Sequence, residues 1–149
     1  MKINEAIAKL PCEAELLVPQ RSPMLVIERL LERDRSANFS VVEAVVPSEG
    51  IFVDTQGEIL PEYFIELAAQ AMAAVNGYDG LVGGEEVGRG FLVGIENFSW
   101  SAAVCSGEKL TVAVKKDYEF GPVSVMAGKV FNPAGEIVAE GEIKAWEEK

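Results

Sequence analysis

The sequence contains no histidine, and this absence excludes more chemistry than any other feature of its composition. The chain therefore cannot use an imidazole as a base, a nucleophile or a metal ligand. Its two cysteines, Cys12 and Cys105, lie far apart and form no CxxC pair, so the sequence predicts neither a disulfide framework nor a zinc site. We therefore expect reduced thiols in a cytoplasmic protein, and no metal or other cofactor.

Basic residues are also scarce. The 149-residue chain has 13 Lys and Arg against 24 Asp and Glu, a formal net charge of -11. A nucleic-acid binder must neutralise phosphates and an anionic membrane also attracts cations, so this charge argues against both partners. No apolar run approaches the ~18 residues of a membrane span. The amino-terminal segment lacks the apolar core of a signal peptide, because Glu5 and Lys9 interrupt it.

With 49% hydrophobic residues, the chain is long enough for one buried core and short for two, so we expect a single domain over residues 1–149. A short helix is predicted over residues 4–10. Two β-rich runs follow, one from Met24 through LVIERLLERD and one in NFSVVEAVV, and the polar turn DRSAN joins them. The first of these runs also fits a helix.

One long helix is predicted in ILPEYFIELAAQAMAAVNGY, with Pro61 in its first turn and Asn76 with Gly77 as its stop. The glycine-dense stretch after it, GYDGLVGGEEVGRG, is interpreted as a mobile loop that serves as a flap. Four β-like runs follow: RGFLVGIENFSW, KLTVAVKKDYEF, VSVMAGKVFN and EIVAEGEIKAW, the last two joined by a hairpin at NPAGE. This order predicts an α+β fold in which a curled antiparallel sheet of about six strands wraps the helix. One helix cannot cover such a sheet completely, so we expect a second copy to pair with it.

The helix carries two strongly polar residues, Glu66 and Gln70, within a segment that is apolar nearly all the way round. Residues four apart lie on one face of a helix, so the two side chains point to the same place. A buried carboxylate is suited to general acid/base catalysis. The alternative is that Glu66 reaches solvent or pairs with an arginine. Glu62 extends this stripe, although an acidic residue in the first turn also favours the helix dipole.

The motifs VPQRSPMLVIERLLE and IELAAQAMAA, in this order, resemble those of the FabZ/FabA-type 3-hydroxyacyl-acyl-carrier-protein dehydratases, in particular their ApeP-like branch, which is linked to aryl polyene synthesis. FLVGIENFSW and SGEKLTVAV resemble two further segments of that family. The matching positions of the first two motifs are Pro19, Arg21, Pro23, Met24, Glu28, Arg29, Glu66, Ala69 and Gln70.

The resemblance implies a hotdog fold and a dimer, or a higher even oligomer, with active sites between subunits. The implied reaction is the reversible loss of water from a 3-hydroxyacyl thioester. Glu66 would protonate the departing hydroxyl or position water, and Gln70 would hold it in place. The implied substrate-binding residues, beside the helix and on the strand after it, are Phe52, Pro61, Glu62, Tyr63, Phe91, Val93 and Gly94.

Two parts of the family's site are absent. The dehydratases carry a histidine in a loop fourteen residues before the helix glutamate, where this chain has Phe52, and Asp54 is the nearby residue that would replace it as base. The family also uses a glycine N–H, at the position of Pro61, to polarise the thioester carbonyl, and proline has no N–H. The N–H groups of Glu62 and Tyr63 would serve instead.

These departures leave two other functions open. Some hotdog thioesterases use one helix glutamate without histidine, which fits Glu66 and Gln70. A non-catalytic subunit that binds or scaffolds an acyl thioester is the other alternative. In each case the partner would be acyl carrier protein or a CoA thioester. Because an acidic carrier needs a local basic patch on an acidic protein, the expected docking residues are Arg21, Arg29, Arg33 and Arg35.

Overall fold

One antiparallel sheet and one long helix make up most of the chain that the computed structural model describes, residues 9–84, 90–101 and 104–147. The sheet has seven strands in the order β1-β2-β3-β5-β6-β7-β4, and the helix α1 packs against strands β2 to β7. A sheet wrapped around a single helix is the hotdog arrangement, so the predicted fold class is confirmed. The element bounds are β1 Cys12–Glu13, β2 Arg29–Asp34, β3 Phe39–Val45, α1 Glu62–Gly83, β4 Gly90–Trp100, β5 Lys109–Phe120, β6 Val123–Phe131 and β7 Ile137–Glu147.

The predicted strands are present, with small changes at their ends. The first β-rich run forms β2, which begins at Arg29 rather than Met24, and the helix alternative for this run is wrong. The NPAGE turn joins β6 to β7, and Phe131 pairs with Ile137 across it. The two-residue strand β1 was not predicted, because it is too short to show a periodicity. The short helix expected over residues 4–10 lies almost entirely outside the described residues.

The predicted end of the helix is wrong. Helix α1 continues past Asn76 and Gly77 to Gly83 and ends at Gly84, whose φ of 68° is the left-handed conformation that glycine favours. Gly77 serves packing instead, since a Cβ there would overlap the carbonyl oxygen of Leu17. Much of the expected mobile loop is therefore helix, and the rest of it, residues 85–89, lies outside the described residues.

The core lies between α1 and the inner face of the sheet. Fully buried Leu67 and Ala71 of the helix pack in one cluster with Val42 and Val112 of the central strands. The sheet approaches closely at Gly128, where an added Cβ would lie 3.4 Å from the Cβ of Ala68. This packing fixes the rotation of α1 and therefore the direction in which its polar residues point. Among the described residues, no helix has the length and hydrophobicity to cross a membrane.

Candidate active site

Gln70 connects the two sides of the candidate site. Its side chain is 1% exposed, and its amide nitrogen donates to Glu66 Oε1 at 2.9 Å and to the carbonyl oxygen of Met24 at 2.7 Å. Its amide oxygen accepts the N–H of Val26 at 2.9 Å. Both N–H groups of the amide and one acceptor position are thus used.

These bonds determine the orientation of the amide. The Val26 N–H requires an acceptor, so the oxygen of Gln70 must face it, and the nitrogen then faces Glu66 and Met24. Residues 24–28 belong to no strand, so their backbone groups need partners from elsewhere. The half-buried Glu66 consequently meets a donor held in place by the fold. This contact agrees with the predicted positioning role of Gln70.

A cavity of about 700 Å³ opens beside the first turn of α1. Its walls are the segment before β2, the loop after β3 and the turn before β5. Phe52 and Tyr63, both predicted to bind substrate, line this cavity, and Tyr63 lies one helical turn before Glu66. The other lining residues include Ser22, Pro23, Leu25, Val26, Glu28, Glu49, Ser106 and Gly107.

Tyr63 is the residue of helix α1 that lines the cavity. Its side chain is fully buried, its ring packs on Phe52 at 5.9 Å between centroids, and its hydroxyl donates to the Val45 carbonyl at 3.5 Å. Burial raises the pKa of the Tyr63 phenol above its ordinary value, and the negative charge of Glu28 raises it further. The phenol is therefore a neutral hydrogen-bond donor throughout the physiological pH range.

The predicted base Asp54 lies in an exposed turn. Its carboxylate accepts the N–H groups of Gln56 at 2.8 Å and Glu58 at 2.9 Å, in a turn closed by the bridge between Val53 and Ile59. A carboxylate that accepts local backbone N–H groups stabilises its own turn. Among the described residues, no hydrogen bond joins Asp54 to the hydrogen-bonded group around Gln70.

The amino terminus of α1 provides fewer free N–H groups than the sequence suggested. Pro61 immediately precedes the first helical residue, and the Tyr63 N–H already donates to the carbonyl of Leu60 at 3.0 Å. No hydrogen bond from the Glu62 N–H is found within the described residues. Of the two N–H groups predicted to bind the thioester carbonyl, only the N–H of Glu62 is therefore available to a ligand.

The three predicted substrate-binding residues on β4 lie at the edge of the sheet. Phe91 and Gly94 pair with β7, Val93 lies at the irregularity between Leu92 and Gly94, and none of the three lines the cavity. Phe91 is 47% exposed and Val93 56%. They belong to the last strand of the sheet among the described residues, an edge that a second polypeptide could cover.

Two of the predicted docking arginines are engaged within the fold. Arg33 is 5% exposed, and its guanidinium forms a two-point ion pair with Asp79 on α1 at 2.6 and 3.0 Å. Arg29 pairs with Glu13 and Glu43 on its neighbouring strands. Arg33 consequently anchors β2 to the helix.

The other two arginines, Arg21 and Arg35, are both exposed. Arg21 donates to the backbone carbonyls of Glu15 at 2.9 Å and Val18 at 2.8 Å, which ties down the segment before the cavity. Arg35 is 60% exposed and lies 3.9 Å from Asp79. Arg21 and Arg35 are therefore the two exposed members of the predicted set, whereas Arg29 and Arg33 are partly covered by their ion pairs.

A residue that sequence reasoning did not assign to the site also lines the cavity. Glu28 precedes β2 and projects beside Tyr63. The sequence signal for Glu28 was its position in the motif VPQRSPMLVIERLLE. The sequence alone does not show in which direction a charged side chain next to a strand points.

A sheet wrapped around one helix that carries a positioned carboxylate defines a hotdog protein of the type found among enzymes of acyl thioesters. The model of the ApeP-like family, described as ApeP dehydratase, matches residues 12–149, and the chain belongs to this family. It is also 30% identical over 135 residues to the 3-hydroxyacyl-[acyl-carrier-protein] dehydratase FabZ of Geobacillus sp. (strain WCH70), covering 88% of this chain and 90% of that protein.

Solved structures show the same fold. The dehydratase heterocomplex ApeI:P from Xenorhabdus doucetiae superimposes with a TM-score of 0.81 at 18% identity, covering 95% of this chain and 93% of the other. The PaaI protein of the E. coli phenylacetic acid degradation operon gives a TM-score of 0.62 at 16% identity, covering 79% and 81%. A hypothetical thioesterase from Streptococcus pneumoniae, solved with coenzyme A, gives 0.59 at 16% identity, covering 80% and 84%.

Proposed function

We propose that this protein removes water from 3-hydroxyacyl thioesters to give trans-2-enoyl thioesters. The observation that carries the proposal is the hydrogen bond from Gln70 to Glu66, which places an oriented carboxylate on the central helix of a dehydratase-family fold. Glu66 donates a proton to the hydroxyl at C3 while the C3–O bond breaks, because hydroxide is a poor leaving group and water a good one.

Gln70 serves as a positioning residue in this reaction. Its nitrogen bonds one oxygen of Glu66, so the second oxygen is directed to the substrate. The thioester carbonyl lies near the Glu62 N–H at the positive end of α1, where developing negative charge is stabilised. The acyl chain occupies the cavity beside Phe52 and Tyr63.

The substrate is carried by acyl carrier protein or by CoA, and the working unit is a homodimer. The open edge of β4 supports the dimer, since an exposed and apolar strand edge of 11 residues seeks a pairing partner. One structural relative is described as a dehydratase heterocomplex, so a different dehydratase subunit is the alternative partner for the same edge.

The decisive experiment incubates the purified protein with 3-hydroxyacyl thioesters on carrier protein and on CoA and follows the products by mass spectrometry, with Glu66→Gln beside it. We expect loss of water in the wild type and its absence in Glu66→Gln. Absence of water loss in the wild type would contradict the proposal.

A non-catalytic thioester-binding subunit is the second candidate, favoured by the absence of histidine and by Pro61, which lacks an N–H for the carbonyl. Retention of the intact thioester in the same spectra would identify this function, whereas release of free thiol would identify a thioesterase based on Glu66.

A further inference from the structure

The carboxylate of Glu28 lies in the cavity without a strong partner. Glu28 lines the same cavity as Phe52 and Tyr63, and its side chain is exposed to the cavity and the solvent. No hydrogen bond or ion pair of its carboxylate is found among the described residues. Its backbone is nevertheless fixed, since the Glu28 N–H donates to the Glu43 carbonyl at 2.7 Å. A carboxylate with a fixed backbone and free oxygens is available for a ligand.

The chain path connects Glu28 to Glu66. Gln70 holds the Val26 N–H with its oxygen and Glu66 with its nitrogen. From Val26 the chain runs on to Glu28, and both line the cavity, while Ile27 between them is buried in the core at 2% exposure. This alternation is that of an extended chain, whose residues i and i+2 project to the same side.

Tyr63 lines the same cavity as Glu28 and lies one turn before Glu66 on α1, while Glu66 itself is not among the lining residues. Burial raises the pKa of the Tyr63 phenol, and the negative charge of Glu28 raises it further. Electrostatic influence of this kind requires proximity, so Glu28 lies near the helix start, where the thioester carbonyl is placed by the proposed function.

The other acidic residues near the cavity fit this position less well. The Asp54 carboxylate accepts two backbone N–H groups of its own turn. Glu49 lines the cavity from the loop after β3, but no hydrogen bond among the described residues fixes its backbone as the bond to Glu43 fixes that of Glu28. Glu28 therefore combines access to the cavity, a fixed backbone and proximity to the helix start.

We propose that Glu28 is the base that removes the C2 proton, in place of the histidine that this chain lacks. This assignment rests on the proposed dehydratase function. The Glu28 carboxylate takes the proton from C2, and the electron pair of the C–H bond forms the C2–C3 double bond. The C3–O bond breaks as Glu66 transfers its proton to the departing oxygen. Water and the trans-2-enoyl thioester leave, and transfer of a proton from Glu28 to Glu66 through solvent restores the site.

The test compares the steady-state dehydration rates of the wild type, Glu28→Gln, Glu28→Ala and Glu32→Gln. Glu32→Gln is the matched control, because it makes the same change at an exposed residue of β2 outside the site. We expect Glu28→Gln to lower kcat by about 10²–10⁴-fold with KM and Tm unchanged, and Glu32→Gln to match the wild type. Added formate should restore part of the activity of Glu28→Ala, since a small carboxylate replaces the missing base.

Each contrary outcome has a distinct meaning. Unchanged kcat in Glu28→Gln beside an active wild type would overturn the assignment of Glu28 alone. Loss of activity in Glu49→Gln but not in Glu28→Gln would move the base to Glu49. Activity that appears only after addition of a histidine-bearing dehydratase subunit would overturn Glu28 as base and retain the dehydratase. A wild type that releases no water under any of these conditions would overturn the proposed function together with this inference.

Discussion

The amide nitrogen of Gln70 lies 2.9 Å from a carboxylate oxygen of Glu66, one turn earlier on the same helix. Among the described residues, the same amide also makes the side-chain hydrogen bonds that join segment 24–26 to the helix. Fold and candidate chemistry therefore depend on one side chain. A change at Gln70 alters both the orientation of Glu66 and the wall of the cavity.

Replacement of Gln70 by leucine should destabilise the protein by about 2–4 kcal/mol, because the Val26 N–H and the Met24 carbonyl would be buried without partners. The control is Asn76→Leu, which removes a single bond to Glu147 at a partly exposed position and should cost about 1 kcal/mol. Urea unfolding followed by circular dichroism measures both. Equal destabilisation by the two variants would show that Gln70 contributes no more than an ordinary hydrogen bond.

Gly77→Ala should destabilise the protein, although the same change in a helix interior normally stabilises by about 0.5–1 kcal/mol. The added Cβ would overlap the carbonyl oxygen of Leu17, and overpacking of this kind costs about 1–3 kcal/mol. Gly94→Ala is the control, since its Cβ would lie 3.5 Å from the nearest side-chain atom of Lys144, an ordinary contact. Thermal unfolding should show a lower Tm for Gly77→Ala only. A raised Tm would mean that the segment around Leu17 moves to accommodate the added methyl group.

The sequence predicted the layout of the fold and the central pair of the site, and the reasons are local. Alternation in KLTVAVKK and the i, i+4 spacing of Glu66 and Gln70 are properties of the chain alone. The end of α1 was missed because Gly77 does not end the helix. A glycine is needed there because the backbone of Leu17 packs against it, and this tertiary contact is not visible in the sequence. The ion pair of Arg33 and the position of Glu28 in the cavity wall were missed because ion-pair partners and cavity walls come from residues distant in sequence, such as Asp79 and Tyr63.

Arg33→Met should destabilise the protein by about 2–4 kcal/mol, because it removes the two-point partner of Asp79 in a site that is only partly open to water and leaves only the longer contact with Arg35. Lys144→Met breaks a surface pair with Glu96, whose side chains are 33% and 52% exposed, and should cost at most about 1 kcal/mol. Chemical denaturation of the two variants measures the difference. KM for a carrier-bound thioester should be the same in Arg33→Met and the wild type. A raised KM with unchanged stability would instead support carrier docking by Arg33.

The edge strand β4 gives the last prediction, which concerns assembly. Its apolar side chains stay exposed in a single chain, for example Ile95 at 42% and Leu92 at 45%, and its outer backbone groups have no ladder partner among the described residues. Pairing of two β4 strands would bury these apolar side chains and give the outer backbone groups hydrogen-bond partners. It would also bring the candidate sites of two subunits together. A lysine at Ile95 would place a charge in the apolar seam of this pair.

We therefore expect the wild type to sediment as a dimer and Ile95→Lys as a monomer in analytical ultracentrifugation. The control is Leu16→Lys, which adds the same charge at a side chain that is 55% exposed and distant in sequence from β4. Because the family resemblance predicts active sites between subunits, Ile95→Lys should also lose dehydratase activity while Leu16→Lys retains it. A wild type that is monomeric alone and dimeric only with another dehydratase subunit would show that β4 pairs with a different chain. A dimer that persists in Ile95→Lys would place the interface elsewhere.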